Sequence, residues 1–301
     1  MYLAHYGLHE LPFTLTPNTS FYCDLAGHRD ALEVLLTALN SGEGFIKVVG
    51  EVGTGKTLLC RQLLNEIPQH YTTAYIPNPY LSPVELRQAI AHELGVQLPD
   101  TDNQQQLAQA LQQRLLTLSG EGHPVVIILD EAQALPDDSL EALRLLSNLE
   151  TERRKLLHVI LLGQPELDQR LASPSLRQLR QRMSFSYQLT ALNLQETAGY
   201  ISHRLQVAGY RGPALFSATL VTQLHRASRG IPRLINVLCH KMLMLGYGAG
   251  RYRLGHEDLR LAVLDTDDAS WQRRSRSTVL ISLLSFSLIA AFGYVYWSHL
   301  A

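Results

Sequence analysis

The stretch GEVGTGKT, Gly50 to Thr57, lies between a short apolar run, FIKVVG at residues 45–50, and an amphipathic run that begins with Lys56. It matches the pattern G-x-x-x-x-G-K-[S/T] throughout, with the preceding strand and following helix that this pattern requires. Glycines let the backbone curl so that its N–H groups converge on phosphate oxygens, and the helix N-terminus adds a favourable dipole. The residues predicted to bind a nucleotide are Gly50, Glu51, Val52, Gly53, Thr54, Gly55, Lys56, Thr57 and Leu58.

Two side chains of this loop and two acids further along the chain predict the chemistry. Lys56 is expected to neutralise the β and γ phosphates of ATP, and the Thr57 hydroxyl to ligate Mg²⁺. The run HPVVIILDEAQ, residues 123–133, is an apolar strand that ends in Asp130 and Glu131. Acids often cap strands on the solvent side, but after a phosphate loop they predict a magnesium carboxylate, Asp130, and a general base, Glu131.

A polar residue, Gln164, follows the next apolar strand in VILLGQPEL, residues 159–167. At the end of a strand it could sense the γ-phosphate, and before Pro165 it could simply be a turn residue. The sequence leaves both interpretations open.

The fold class follows from continuous apolar strands that alternate with helical patterns, which predict an α/β protein with a parallel sheet covered on both faces. A stripe of leucines, Leu107, Leu111, Leu115 and Leu116, predicts a packed helix in the glutamine-rich segment. After Leu189 only helical patterns remain, so we predict a core at 1–189 and an all-helical unit at 190–267. A polar linker, 268–277, follows.

Residues 278–297 are twenty residues with neither charge nor proline, long enough as a helix to cross a bilayer of about 30 Å. Arg273, Arg274 and Arg276 precede the segment, and no Lys or Arg follows it. The positive-inside rule then predicts a single-pass membrane protein with its globular part in the cytoplasm. The alternative is a buried core helix. Residues 298–301 are expected to form a short extracytoplasmic tail.

The composition excludes some classes of protein. The 301 residues include 46% hydrophobic and 18% charged side chains, enough for a packed core, and a formal net charge of −1 argues against nucleic-acid binding through bulk charge. Three scattered cysteines, Cys23, Cys60 and Cys239, have no metal-ligand spacing and indicate reduced thiols. The N-terminus does not have the pattern of a secretory signal.

Together, the phosphate loop, the acid-ended strand, the polar-ended strand and the helical unit resemble the AAA+ ATPases, in which the helical unit forms a lid. The segments YGLHELPFTLTPN (6–18), LRQLRQRMSFSYQL (176–189), ETAGYISHRLQVAG (196–209) and ASRGIPRLINVLCHKML (227–243) are similar to the ExeA/GspA-type ATPases of the general secretion pathway. The resemblance covers residues 1–265.

The resemblance implies further site residues. Arg233, in GIPRLIN, is similar to the lid arginine that reaches the γ-phosphate. Arg182 resembles the arginine finger that completes the site of a neighbouring subunit, with Arg177 and Arg180 as rivals in a basic run whose other interpretation is a solvated helix face. Adenine contacts are expected from residues 21–28, where His28 is expected to mark a helix entry. The resemblance also implies a homo-oligomer arranged as a ring and a location in the bacterial inner membrane.

Three functions stay open at this point. The first is a membrane-anchored ATPase that assists assembly of a type II secretion apparatus or of a type IV pilus; the short tail favours the related ATPase of the mannose-sensitive haemagglutinin pilus system. The second is a DNA-stimulated ATPase of the transposition-regulator type, which the charge balance disfavours. The third is a slow nucleotide switch that acts through its conformation.

Overall fold

The computed structural model describes residues 2–16, 18–96, 104–148 and 155–269. Five strands form one sheet: β1 Phe45–Gly50, β2 Thr72–Ile76, β3 Val125–Leu129, β4 Leu157–Gly163 and β5 Met183–Leu189. The α-helices are α1 Leu3–Tyr6, α2 Ala26–Asn40, α3 Lys56–Glu66, α4 Pro83–Glu93, α5 Gln104–Gly120, α6 Asp137–Leu146, α7 Pro165–Leu171, α8 Arg177–Gln181, α9 Leu194–Val207, α10 Ala218–Ser228, α11 Pro232–Gly248 and α12 His256–Leu264. Short 3-10 turns are Thr19–Phe21, Ala132–Ala134 and Pro174–Leu176.

The sheet has the strand order β2-β3-β4-β1-β5, and every neighbouring pair is parallel. The predicted parallel α/β fold is therefore confirmed. The order places β4 between β1 and β3, so the segments that follow these three strands emerge side by side at the carboxyl edge of the sheet. This edge is where open α/β sheets bind their ligands.

Both faces of the sheet are covered, and the central strands β3 and β4 are buried on both sides. Val126, Ile128 and Ile160 point into one core with α2 and α3, whereas Ile127, Val159 and Leu161 point into another with α4, α5, α6 and α7. In α5 the buried stripe is Leu107, Leu111, Leu115 and Leu118, and Leu116 is exposed. The prediction for Leu116 was wrong because spacings of four, four and three residues keep one helical face, and Leu116 falls off it.

After β5 ends at Leu189, the described residues up to Leu264 form the helices α9 to α12. Their core includes residues from the beginning of the chain: Tyr2, Tyr6, Leu8, Phe13, Phe21 and Leu25. We call residues 2–25 the N-terminal strap and α9 to α12 the lid. The predicted core of 1–189 thus differs from the structure in one part, since these six side chains of the strap pack in the core of the lid, whereas Leu11 and Leu15 are exposed.

Within the described ranges, no helix combines the length and the apolar character needed to cross a bilayer. The predicted membrane span at 278–297, most of the linker at 268–277 and the tail at 298–301 lie outside these ranges. The membrane segment therefore stays a prediction.

Candidate functional site

The phosphate loop connects β1 to α3 at the carboxyl edge of the sheet. Gly53 and Gly55 have φ angles of 81° and 101°, which favour glycine. A Cβ atom at Gly53 would lie 2.5 Å from Cβ of Arg233, and one at Gly55 would lie 2.6 Å from Nε2 of His28. Backbone conformation and close approach both require glycine here, and a backbone curled in this way can turn N–H groups toward an anion.

Lys56 begins α3 and is almost fully buried beneath the loop. Its ammonium group donates to the carbonyl oxygens of Gly50 at 2.7 Å and Glu51 at 3.0 Å. Burial lowers the pKa of Lys56, whereas the nearby carboxylates of Glu131 and Asp130 act in the opposite direction. A buried ammonium held only by carbonyl oxygens is poised to pair with the phosphates of a nucleotide.

Thr57 and Asp130 meet beside the loop: the Thr57 hydroxyl donates to Oδ2 of Asp130 at 2.7 Å. Burial raises the pKa of Asp130 above its usual value, although the hydrogen bonds from Thr57 and from the backbone N–H of Glu131 act in the opposite direction. A hydroxyl and a carboxylate oxygen are ligands that Mg²⁺ prefers, with phosphate and water completing its coordination, so these residues fit the ion. Mg²⁺ bound here would neutralise charge on the phosphate oxygens.

Glu131 follows β3 in a left-handed conformation, with φ 54° and ψ 39°. One carboxylate oxygen, Oε2, accepts from Nε2 of Gln133 at 2.6 Å and from Nε2 of Gln164 at 2.9 Å. Burial acts to raise the pKa of Glu131, but these hydrogen bonds and the charge of Lys56 outweigh it and hold the pKa below its usual range. Glu131 is therefore ionised at neutral pH and can accept a proton.

The structure brings Gln164 and Arg233 to the same place from different elements. Gln164 leaves the end of β4 and bonds Glu131, so it is more than a turn residue before Pro165. Arg233 lies in the first turn of α11 of the lid, and its backbone N–H donates to the carbonyl of Gly53 at 3.2 Å. The lid arginine thus lies directly against the phosphate loop.

Arg182 is not brought to this site. It precedes β5, so it lies at the amino edge of the sheet, about 20 Å from the carboxyl edge at roughly 3.3 Å per strand residue. Its guanidinium donates to the Ser147 hydroxyl at 3.0 Å and to the Arg144 carbonyl at 3.4 Å. Arg177 and Arg180 lie exposed on α8. None of these arginines can contact a nucleotide bound to the phosphate loop of its own chain.

A cleft of about 300 Å³ continues from the loop between the strap and the lid. His28 lies in the first turn of α2, as expected for a residue at a helix entry, and burial lowers its pKa. Sequence analysis missed Arg204 of α9, whose buried guanidinium lines the cleft, donates to the Pro12 carbonyl and lies over the Phe21 ring at 4.7 Å. Only a tertiary structure could reveal this role of Arg204, because Pro12 and Phe21 lie nearly two hundred residues away from it in the sequence.

The sequence also did not predict the part of Gln133 and Arg170 in the hydrogen-bond network around Glu131. Gln133 bonds the side chain of Glu131 and the backbone of Gln164. Arg170 of α7 donates to the carbonyl of Gln133 at 2.7 Å and also to Asp137. The signal that could have found Gln133 was its place two residues after the predicted base.

Comparison with known proteins gives relatives for the whole described chain. The family model for the AAA domain matches residues 39–171. General secretion pathway protein A of Aeromonas hydrophila is 39% identical over 99% of this chain and 54% of its own length. The chain therefore spans about half the length of this curated relative.

Solved structures with a similar fold include two archaeal proteins and a bacterial motor. ORC2 of Aeropyrum pernix, in ADPNP and ADP complexes, has a TM-score of 0.60 and 19% identity over 85% of this chain and 73% of its own. Cdc6p of Pyrobaculum aerophilum has a TM-score of 0.63 and 17% identity, over 81% of this chain and 69% of its own. The RuvB Holliday junction branch migration motor of Thermotoga maritima has a TM-score of 0.53 and 17% identity, over 88% of this chain and 80% of its own. These identities show a shared fold alone.

Proposed function

We propose that this chain, a nucleotide-binding P-loop ATPase of the AAA type that is similar to general secretion pathway protein A, is a membrane-anchored ATPase that assists assembly of a secretion apparatus or a related pilus. The observation that carries the proposal is the 39% identity over nearly the whole chain. It extends well beyond the part that forms the nucleotide site. A likeness limited to the loop and its acids would support only ATP hydrolysis.

In the proposed reaction, the loop N–H groups and Lys56 bind the β and γ phosphates, and Thr57 and Asp130 hold Mg²⁺. Glu131 takes a proton from the attacking water, and Gln164 lies beside it to contact the γ-phosphate. Arg233 approaches from the lid, where its guanidinium offsets charge that develops on the transferring group. Each role matches the position that the residue occupies in the fold.

The remaining charge is proposed to be supplied by a second copy of the chain. Arg182, or its rivals Arg177 and Arg180, would reach the nucleotide of a neighbouring subunit, since all three lie at the amino edge of the sheet. We propose that the chain forms a homo-oligomer, arranged as a ring, because each nucleotide site would then receive an arginine from the next subunit. ATP would then bind at each junction between subunits.

We also propose the inner-membrane location. The segment 278–297, which lies outside the described residues, would hold the ATPase at the cytoplasmic face, where secretion or pilus assembly proteins are its partners. Between the two machines, we favour a pilus ATPase like MshM of the mannose-sensitive haemagglutinin system, on sequence resemblance.

The test is to delete the gene in its host and restore it as wild type, as Lys56→Ala, or truncated before Arg273. We expect wild type alone to restore assembly, measured as type II secretion and as surface pili, while the truncated protein stays soluble and binds ATP. Loss of pili with normal secretion supports the pilus assignment, and the reverse refutes it. Unchanged secretion and pili, or strong stimulation of hydrolysis by DNA, would refute the proposed function.

A further inference from the structure

Gln133 connects the residue that follows β3 with the residue that follows β4. Its Nε2 donates to Oε2 of Glu131 at 2.6 Å, and its Oε1 accepts from the backbone N–H of Gln164 at 3.0 Å. A backbone N–H can only donate, so the oxygen end of the amide must face Gln164 and the nitrogen end must face Glu131. The direction of the hydrogen bond to Glu131 is therefore set by the backbone of the neighbouring strand end.

The surroundings of Gln133 hold it in this position. A Cβ atom at Gly163, the last residue of β4, would lie 3.3 Å from Oε1 of Gln133 and 2.7 Å from Cδ2 of Leu167, so the strand end leaves little spare room. The backbone carbonyl of Gln133 accepts a hydrogen bond from Nη1 of Arg170. The other guanidinium nitrogen of Arg170, Nη2, pairs with Asp137 at the start of α6. Arg170 thus fixes the backbone that carries the amide.

Both amides that contact Glu131 bond the same oxygen. Nε2 of Gln133 and Nε2 of Gln164 both donate to Oε2, and in the described part of the chain Oε1 of Glu131 accepts no hydrogen bond. Two donors on one oxygen fix the rotation of the carboxylate. They also make Oε1 the oxygen with lone pairs available for a water molecule.

We propose that Gln133 is a positioning residue for ATP hydrolysis, which holds Oε2 of Glu131 so that Oε1 is the atom that accepts the proton of the attacking water. Arg170 supports it through the backbone. The proposal rests on the proposed role of Glu131 as general base. Gln133 acts through Glu131, because its side chain bonds Glu131 and Gln164.

The test compares Gln133→Leu, which keeps the bulk and removes both ends of the amide, with Gln169→Leu, the same change at an exposed position on α7. Because a general base contributes about 100- to 10,000-fold, a base that is ionised but badly oriented should lower kcat about tenfold. ATP affinity should change less than twofold. Gln169→Leu should match wild type in both.

The pH profile separates positioning from general loss of structure. A lost donor raises the pKa of Glu131, and the base must be ionised, so the acid limb of kcat should move to higher pH in Gln133→Leu. Arg170→Lys keeps the amide and removes the forked contact; it should shift the limb in the same direction by less. This second variant tests the proposal even if Gln133→Leu does not fold, as judged by thermal unfolding and ATP binding.

Glu131→Gln keeps the two proposals distinguishable. If Glu131→Gln loses hydrolysis while both Gln133→Leu and Arg170→Lys keep the wild-type kcat and pH profile, the role of Gln133 is refuted and that of Glu131 stands. A lower kcat with an unmoved acid limb also refutes positioning. If Glu131→Gln hydrolyses ATP within a few-fold of wild type, the assignment of the base fails and the inference fails with it.

Discussion

The two edges of the sheet are built in different ways. At the carboxyl edge, side chains from the loop, two strand ends and the lid converge within one chain, and Glu131 accepts two hydrogen bonds from its neighbours. At the amino edge, Arg182 is tied to Ser147 while Arg177 and Arg180 lie exposed. The first edge gathers the groups of the candidate nucleotide site, whereas the arginines of the second edge lie at the opposite ends of the strands.

The groups of the carboxyl edge come together through folding alone, whereas an arginine of the amino edge could reach a nucleotide only in a second copy of the chain. The phosphate loop, Lys56, Thr57 and Asp130 come together at the carboxyl edge. A guanidinium that would enter the site only when a neighbour is present can make hydrolysis depend on assembly. The experiments below test whether the two edges work in this way.

The largest effect is expected from Lys56→Ala, which removes the buried cation of the carboxyl edge. Loss of a buried charged partner costs about 3–5 kcal/mol, so ATP affinity should fall more than about 100-fold and turnover should disappear. Isothermal titration calorimetry with ATP measures the change in affinity. Lys155→Ala is the matched control, since Lys155 lies at the opposite edge beside Gly44. Normal affinity in Lys56→Ala would contradict the assignment of the loop.

Arg182→Ala tests the amino edge. It should keep ATP binding and lower turnover about 1,000- to 100,000-fold, as expected when an arginine finger is lost. Mixing it with Lys56→Ala protein should restore activity, because mixed junctions then contain one intact nucleotide site and one intact arginine. If the two proteins co-assemble and activity stays absent, Arg182 is not the finger, and Arg180 and Arg177, both exposed, are tested in the same way.

Glu131→Gln sharpens the division between binding and chemistry within the carboxyl edge. The amide keeps the size and loses the base, so hydrolysis should fall about 100- to 10,000-fold while ATP still binds. Because uncleaved ATP would stay between subunits, the oligomer should become more stable. Single-turnover hydrolysis and light scattering measure the two effects, and turnover close to wild type would exclude Glu131 as the base.

The smallest effect is expected from Arg233→Ala, because the backbone contact of this residue with Gly53 does not need its side chain. Loss of one charged contact from the lid, worth about 1.5–3 kcal/mol, should lower kcat/KM about 10- to 100-fold. Arg229→Ala, which changes a residue outside the cleft, is the control. Equal rates for Arg233→Ala and wild type would place the lid arginine outside the reaction.

The parallel sheet and the phosphate loop could be predicted because their signals are local. A few neighbouring residues are enough to predict the conformation of each. The loop has glycines at fixed offsets, and the strands are continuous apolar runs such as Val125 to Leu129. The strand order could not be predicted in this way. It depends on pairings such as Phe45 with Val159, which lie more than a hundred residues apart.

The residues of the candidate site also differ in whether local sequence could predict them. Asp130 and Glu131 could be predicted because they follow a strand, and Gln164 could be proposed for the same reason. The network of Gln133 and Arg170 could not, since it depends on how α7 lies against the turn after β3. The place of the strap was missed because Tyr2 and Phe13 give no local sign that the lid buries them.

The burial of the strap in the lid has a mechanical consequence. The backbone crosses between lid and sheet twice, once where the strap enters α2 at Leu25 and once after Leu189. Two attachment points define an axis, so the lid can swing about it but resists torsion. Leu192, at the second crossing, bonds the carbonyl of Gly230 just before α11. Because α11 has 17 residues and is about 25 Å long, a swing of about 10° at its start would move its far end by about 4 Å, which makes the helix a lever.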